Sequence, residues 1–403
     1  MATRLGRLDR FVRFDALVVT AAIWFLAKLL RYAFPPLFEP LRATYGVSNA
    51  AIGSAFTGFM LVYAAMQFPS GVLADRFGSV RVIVAGALVA AGGALALIVE
   101  ASFPVLVLAM LVIGAGTGAH KTVAVRLLSG IYPARTGRAL GALDTFGTFG
   151  GVVAPIAVVA FVGTRVGWRG FFLAAGLVGI ALVGLFVRWV PRRVPDGRSG
   201  ADDGSSPAET REYLAPFRDR RFALFVLVTV AFSFAYNGVV AFLPLYLVEE
   251  AGLSGAVAGL LYSALFAASL VQLATGELSD HVGRLPVLAA SVVLGLVGAV
   301  LLASSSSPVA LGVAVVVFGL GYHGFRPVRG AYLVAIIPEA VVGGTLGSVR
   351  TVHMAAGALA PAAVGLLADL AGFRVAFGTL AGSVGASLLC TVVLIVSHRH
   401  DDQ

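Results

Sequence analysis

The sequence is poor in charge and almost empty of lysine. Only 12% of its 403 residues are Asp, Glu, Lys or Arg, about half the share found in soluble domains. Apolar residues make up 59% and gather in long runs, which excludes a soluble globular domain. A run of about 20 apolar residues is the length that crosses a bilayer as a helix. One cysteine, Cys390, excludes an intrachain disulfide framework. There is no phosphate-cradling glycine loop and no His/Cys cluster at metal-ligand spacing. An enzyme is therefore not expected, no cofactor is implied, and ATP is not the energy source. The net charge of +9 does not point to nucleic acid, because the arginines are scattered over short loops rather than gathered on one face.

The runs predict twelve spans, near 15–37, 51–72, 82–99, 104–128, 139–161, 170–188, 222–247, 255–276, 287–304, 308–330, 343–365 and 374–396. The fold class expected is all-α and integral to the membrane, twelve helices in two pseudo-symmetric six-helix bundles. Their bounds are 1–190 and 222–403, with a polar linker at 191–221 whose Arg, Asp, Gly, Ser and Pro cannot bury apolar surface. Met1 to Arg13 is a basic arm without a cleavable-signal pattern. Arginines recur in alternate loops (Arg76 and Arg81, Arg135 and Arg138, Arg192 to Arg221, Arg284), which places both termini in the cytoplasm. A prokaryotic plasma membrane and a monomer in the lipid bilayer complete the expectation.

The halves repeat at an offset of about 205 residues. Gly46-Val-Ser48 answers Gly252-Leu-Ser254, Gln67 answers Gln272, and His120 answers His323. Gly71-Val-Leu-Ala-Asp75-Arg76-Phe-Gly78 answers Gly276-Glu-Leu-Ser-Asp280-His281-Val-Gly283-Arg284. Both loop copies resemble the motif Gly-x-Leu-x-Asp-Arg-x-Gly-Arg of the major facilitator superfamily. The first copy has Ser79 at the last basic position, with Arg81 two residues on; the second has His281 at the earlier one. Gly167-Trp-Arg-Gly-Phe-Phe172 also looks like this family. The resemblance implies alternating access of two halves about a midplane site, with Gly71, Asp75, Arg76, Gly78, Gly276, Asp280, Gly283 and Arg284 as a cytoplasmic gate. Physically, the loop Asp is suited to cap a neighbouring helix N-terminus and to pair with Arg.

Charge inside a span costs several kcal/mol in insertion terms and requires a reason. The two lysines, Lys28 and Lys121, both lie within spans, whereas every other positive charge is one of 27 arginines. Arg31 shares a face with Lys28; His323 shares one with Arg326, and Arg350 with His353. His120, Tyr236 and Asn237 add polar groups. All of these fall on the eight spans that surround the cavity in the family the chain resembles. Against the cations stands one acid well inside a span, Asp144, expected either to couple a proton or to bridge to Arg350 or Arg138. Lys28, Arg31, His120, Lys121, Tyr236, Asn237, His323, Arg326, Arg350 and His353 are therefore the candidate substrate ligands. Their excess positive charge calls for a small anionic substrate together with a coupling ion or an exchanged solute. Arg31-x-x-Phe34, with prolines close behind, resembles the first helix of organophosphate and organic-anion transporters.

Two other functions compete. Drug or metabolite efflux by proton antiport goes with a Gly-Pro pair in span 5, and here the helix carries Ala154-Pro155 instead. A transporter-like sensor would need a cytoplasmic domain that the short linker and tail do not offer.

Overall fold

The computed structural model describes residues 14–193, 215–338 and 341–401. The basic arm and most of the expected linker lie outside the described residues. The described chain is helical throughout, without strands. Twelve segments are long and apolar enough to span a membrane: Asp15–Tyr45, Asn49–Phe77, Ser79–Ala96, Phe103–Ile131, Pro133–Val162, Gly167–Arg193, Arg220–Glu249, Gly255–Val282, Arg284–Ser304, Pro308–Ile336, Gly344–Ala371 and Phe373–Ser397. They are numbered spans 1 to 12 below. Several outrun the apolar runs, because helical hydrogen bonding continues into polar ends such as Gly71 to Phe77.

Contacts divide the chain into two compact units, Met1–Leu37 with Gly58–Ala201, and Phe38–Thr57 with Asp202–Gln403. In the first unit span 1 packs most extensively on span 5, while span 3 packs on spans 4 and 6. In the second, span 7 packs on spans 11 and 12, and span 9 on spans 10 and 12. Span 1 lies close on span 5 because Gly147 and Gly150 carry no side chain. A Cβ at Gly147 would collide with the indole of Trp24, and one at Gly150 with the Phe25 carbonyl and Lys28 Cβ.

The repeat is written into the turns. Among the described residues, positive φ occurs only at six glycines. They form three pairs 206, 205 and 205 residues apart: Gly46 (62°) with Gly252 (65°), Gly78 (85°) with Gly283 (99°), and Gly167 (57°) with Gly372 (86°). Each turn needs a left-handed backbone that a side chain resists. The third pair reveals a repeat that residue matching missed, in which Gly372-Phe373-Arg374 mirrors Gly167-Trp168-Arg169. Both arginines fold back on the loop two spans earlier, Arg169 within 3.8 Å of Glu100 and Arg374 donating to Ser306 Oγ at 2.8 Å.

Candidate functional site

In the first unit the charged residues converge on an aromatic side chain that sequence reasoning passed over, Trp24. Lys28 lies one turn further along span 1, and its Nζ sits 5.0 Å from the Trp24 ring centroid and 5.3 Å from that of Tyr32. Span 4 breaks at Ala119, after Thr117 Oγ1 has donated to the Ile113 carbonyl at 2.7 Å, a back-bond of the kind that bends helices. His120 and Lys121, which follow it, both meet the Trp24 ring. His120 stacks on Trp24 at 5.9 Å and 15°, with Nε2 3.1 Å from the Thr20 carbonyl. Lys121 Nζ lies 5.5 Å from the indole and pairs with Asp144 of span 5.

Both lysines thus share one indole, each contact contributing about 0.5–2 kcal/mol depending on desolvation. The one turn between Trp24 and Lys28 was the available clue. The partner of Asp144 is a correction to the sequence reading: it is Lys121, rather than Arg350 or Arg138. Asp144 is set apart by access, its side chain 65% exposed against 17% for Lys121. Arg31 borders this cluster, with its guanidinium carbon 5.4 Å from the Tyr32 ring and 4.8 Å from the Tyr63 ring, and Nη2 3.5 Å from Met60 Sδ.

In the second unit the centre is an aromatic stack. Tyr236 of span 7 lies on Tyr322 of span 10 at 3.6 Å and 5°, and buried His323 meets both rings edge-on. Tyr322 was also missed; its partner is some 86 positions away, so no spacing rule points to it. Asn237 is buried and donates to the Ser233 carbonyl at 2.8 Å, while Ser233 Oγ reaches the His353 carbonyl at 3.3 Å. Ser233 therefore joins span 7 to span 11, and Asn237 braces it from within span 7. His353 bonds the Val349 carbonyl through Nδ1 at 3.1 Å. Arg326 and Arg350 are exposed, and with half-buried Arg329 they form a positive group near His353.

The loop motif follows a third pattern. Gly78 and Gly283 have nearly the same backbone, φ 85° with ψ 147° and φ 99° with ψ 154°, and each opens the next span. Asp75 pairs with Arg126 of span 4, in line with the expected pairing of the loop Asp with an Arg. Arg76, Asp280 and Arg284 make no ion pair among the described residues.

Residues 20–271 and 252–403 match the profile of the Major Facilitator Superfamily. The chain is 27% identical over 247 residues to the "Probable sulfoacetate transporter" of Cupriavidus necator, an alignment that covers 58% of this chain and 57% of that protein. It is 23% identical to the cis,cis-muconate transport protein of Acinetobacter baylyi, over 90% of this chain and 89% of the relative. In fold it is similar to a bacterial homolog of the human lysosomal transporter Spinster, at a TM-score of 0.80 and 18% identity, covering 95% of this chain and 96% of the other.

Proposed function

Because the chain belongs to the Major Facilitator Superfamily, and is a multi-pass membrane transporter, we propose that its substrate is a small organic anion, a carboxylate or a phosphate ester. The observation that carries this reading is the meeting of both lysines on Trp24, with Asp144 as the acid paired there. Three cations (Lys28, Arg31 and Lys121) and one carboxylate leave the first unit's polar face with an excess of positive charge. An arriving anion offsets that excess, and a compact ammonium suits a ligand that must also leave. The names of the sulfoacetate and muconate relatives agree with this class, since both compounds are small organic acids.

Transport proceeds by alternating access of the halves 1–190 and 222–403, as proton symport or as exchange. Asp144 is positioned to take part in coupling, because substrate and carboxylate compete for Lys121. Both termini face the cytoplasm, the membrane is a prokaryotic plasma membrane, and the protein works as a monomer.

A thermal-shift panel of purified protein tests the substrate class, using mono- and dicarboxylates (sulfoacetate and cis,cis-muconate among them), sugar acids, phosphate esters and lipophilic cations. Stabilisation is expected from one group of anions, and it should disappear in Lys28→Ala and Lys121→Ala. Stabilisation by lipophilic cations alone would sink the anion reading and favour efflux.

A further inference from the structure

The helix cap expected of the loop Asp is present at the opposite end of the spans, on a different acid. Helix Asn49–Ala65 begins, as every helix does, with backbone N–H groups that lack helical partners. The first helical bond is Ile52 to the Ser48 carbonyl at 3.2 Å, and the three N–H groups before it find side-chain acceptors. Ala51 donates to Ser48 Oγ at 3.1 Å. Asn49 and Ala50 donate to the two oxygens of the Asp369 carboxylate, at 3.0 and 2.7 Å.

Asp369 stands in the last turn of helix Val342–Ala371, where an acid opposes its own helix dipole. Its position makes sense only toward the N-terminus of span 2, where the dipole favours it. The second copy of the repeat lacks this arrangement. Ser254 caps there in the same way, accepting from Val257 at 3.3 Å, but Gly255 and Ala256 are exposed and no carboxylate bonds them among the described residues. The serine cap belongs to the repeat; the Asp369 cap is an addition to one copy.

More contacts run below and beside it. Thr57 Oγ1 accepts the Ala362 N–H at 3.0 Å. Side chains at Gly53 or Gly365 would collide with the carbonyls of Pro361 and Asn49. Arg42 pairs with Glu249, and Phe38 packs edge-on against Phe242 at 5.2 Å. Residues 38–57 are thereby held to spans 7 and 11 within the second unit, although span 2 from Gly58 onward belongs to the first.

We propose that Asp369 is a gate residue: its cap on Asn49 and Ala50, with the Thr57–Ala362 bond, clasps segment 38–57 to span 11, and this clasp is released once in each transport cycle. Asp369 then sets the equilibrium between this state and one open at the end of the spans away from the Asp75 loop. The inference rests on alternating access and not on the charge of the substrate, so it is testable without ligand.

The test is a spin-label distance measurement in nanodiscs, with labels at Ala43 and Ser307 in a Cys390→Ser background. The unaltered clasp should give mainly the shorter distance. Asp369→Ala should raise the ratio of long to short distances roughly tenfold, the scale of losing a helix cap. Asp369→Asn, which keeps an acceptor and loses the charge, should fall between. Thr57→Val should shift the ratio in the same direction and serves, with Asp369→Asn, if Asp369→Ala does not fold. A lower melting temperature with unchanged distance distributions in these variants would overturn the proposal, leaving Asp369 as a purely structural cap.

Discussion

Lys121 has two neighbours of opposite character, the carboxylate of Asp144 and the face of Trp24. Which of them matters for folding and which for binding can be separated. Asp144 is 65% exposed, so solvent screens the pair and its coupling should be about 0.5–1 kcal/mol. In a double-mutant cycle followed by thermal unfolding, Asp144→Asn should recover part of the stability lost in Lys121→Gln. No recovery would mean that the pair is not structural. Trp24 should act on binding instead. Trp24→Leu is expected to weaken affinity for the stabilising anion about tenfold in the same thermal-shift titration, with Trp24→Phe closer to wild type. The residue scale was half legible. Rarity singled out both lysines, and burial cost singled out Asp144, but neither argument could state which of them touch.

At the scale of elements, helix breaks and turns carry the design. The helical bonding of span 4 is interrupted at Ala119, next to His120 and Lys121, and no proline marks the place. The turns were more legible, since Gly78 and Gly283 recur at matching places in the sequence. Both have φ and ψ in a region that is almost glycine-only, so Gly78→Ala and Gly283→Ala should each cost about 1–3 kcal/mol. Gly141→Ala is the control, because that glycine has ordinary helical geometry and open space around its Cα. It should be neutral or slightly stabilising in the same melting experiment. Equal losses in all three variants would remove the backbone explanation. The aromatic stack of Tyr236 on Tyr322 shows the limit of element-level reading: each tyrosine lies on an apolar span with nothing local to name its partner.

For the whole molecule, the repeat is the organising fact, and the departures from it are where function is expected. The loop Asp occurs in both halves, yet Asp75 pairs with Arg126 while Asp280 makes no ion pair among the described residues. Both members of the Asp75–Arg126 pair are more than two-fifths exposed, so breaking it should change stability little. Transport rate is the sensitive readout. Asp75→Arg and Arg126→Asp should each slow initial uptake into proteoliposomes, and the charge-swapped double variant should regain much of the loss. A double variant as slow as the singles would assign these residues separate roles.

The sequence by itself determined the class, the twelve spans and the two-fold repeat, because these follow from hydropathy, glycine placement and the cost of charge in lipid. Those are sums over local stretches, and they need no knowledge of neighbours. It also marked most polar residues of the candidate site, since an ionisable group in a span stands out wherever it lies. Tertiary structure alone decided the pairings: Lys121 with Asp144, Trp24 between two lysines, Asp75 with Arg126, and Asp369 on the first turn of a helix 320 positions away. Contacts of that range depend on which helix faces pack together, and packing is settled by the close fit of many side chains at once. The near absence of charge that marks this chain as a membrane protein is visible in any count of its residues. How the few charges present are matched is a property of the fold.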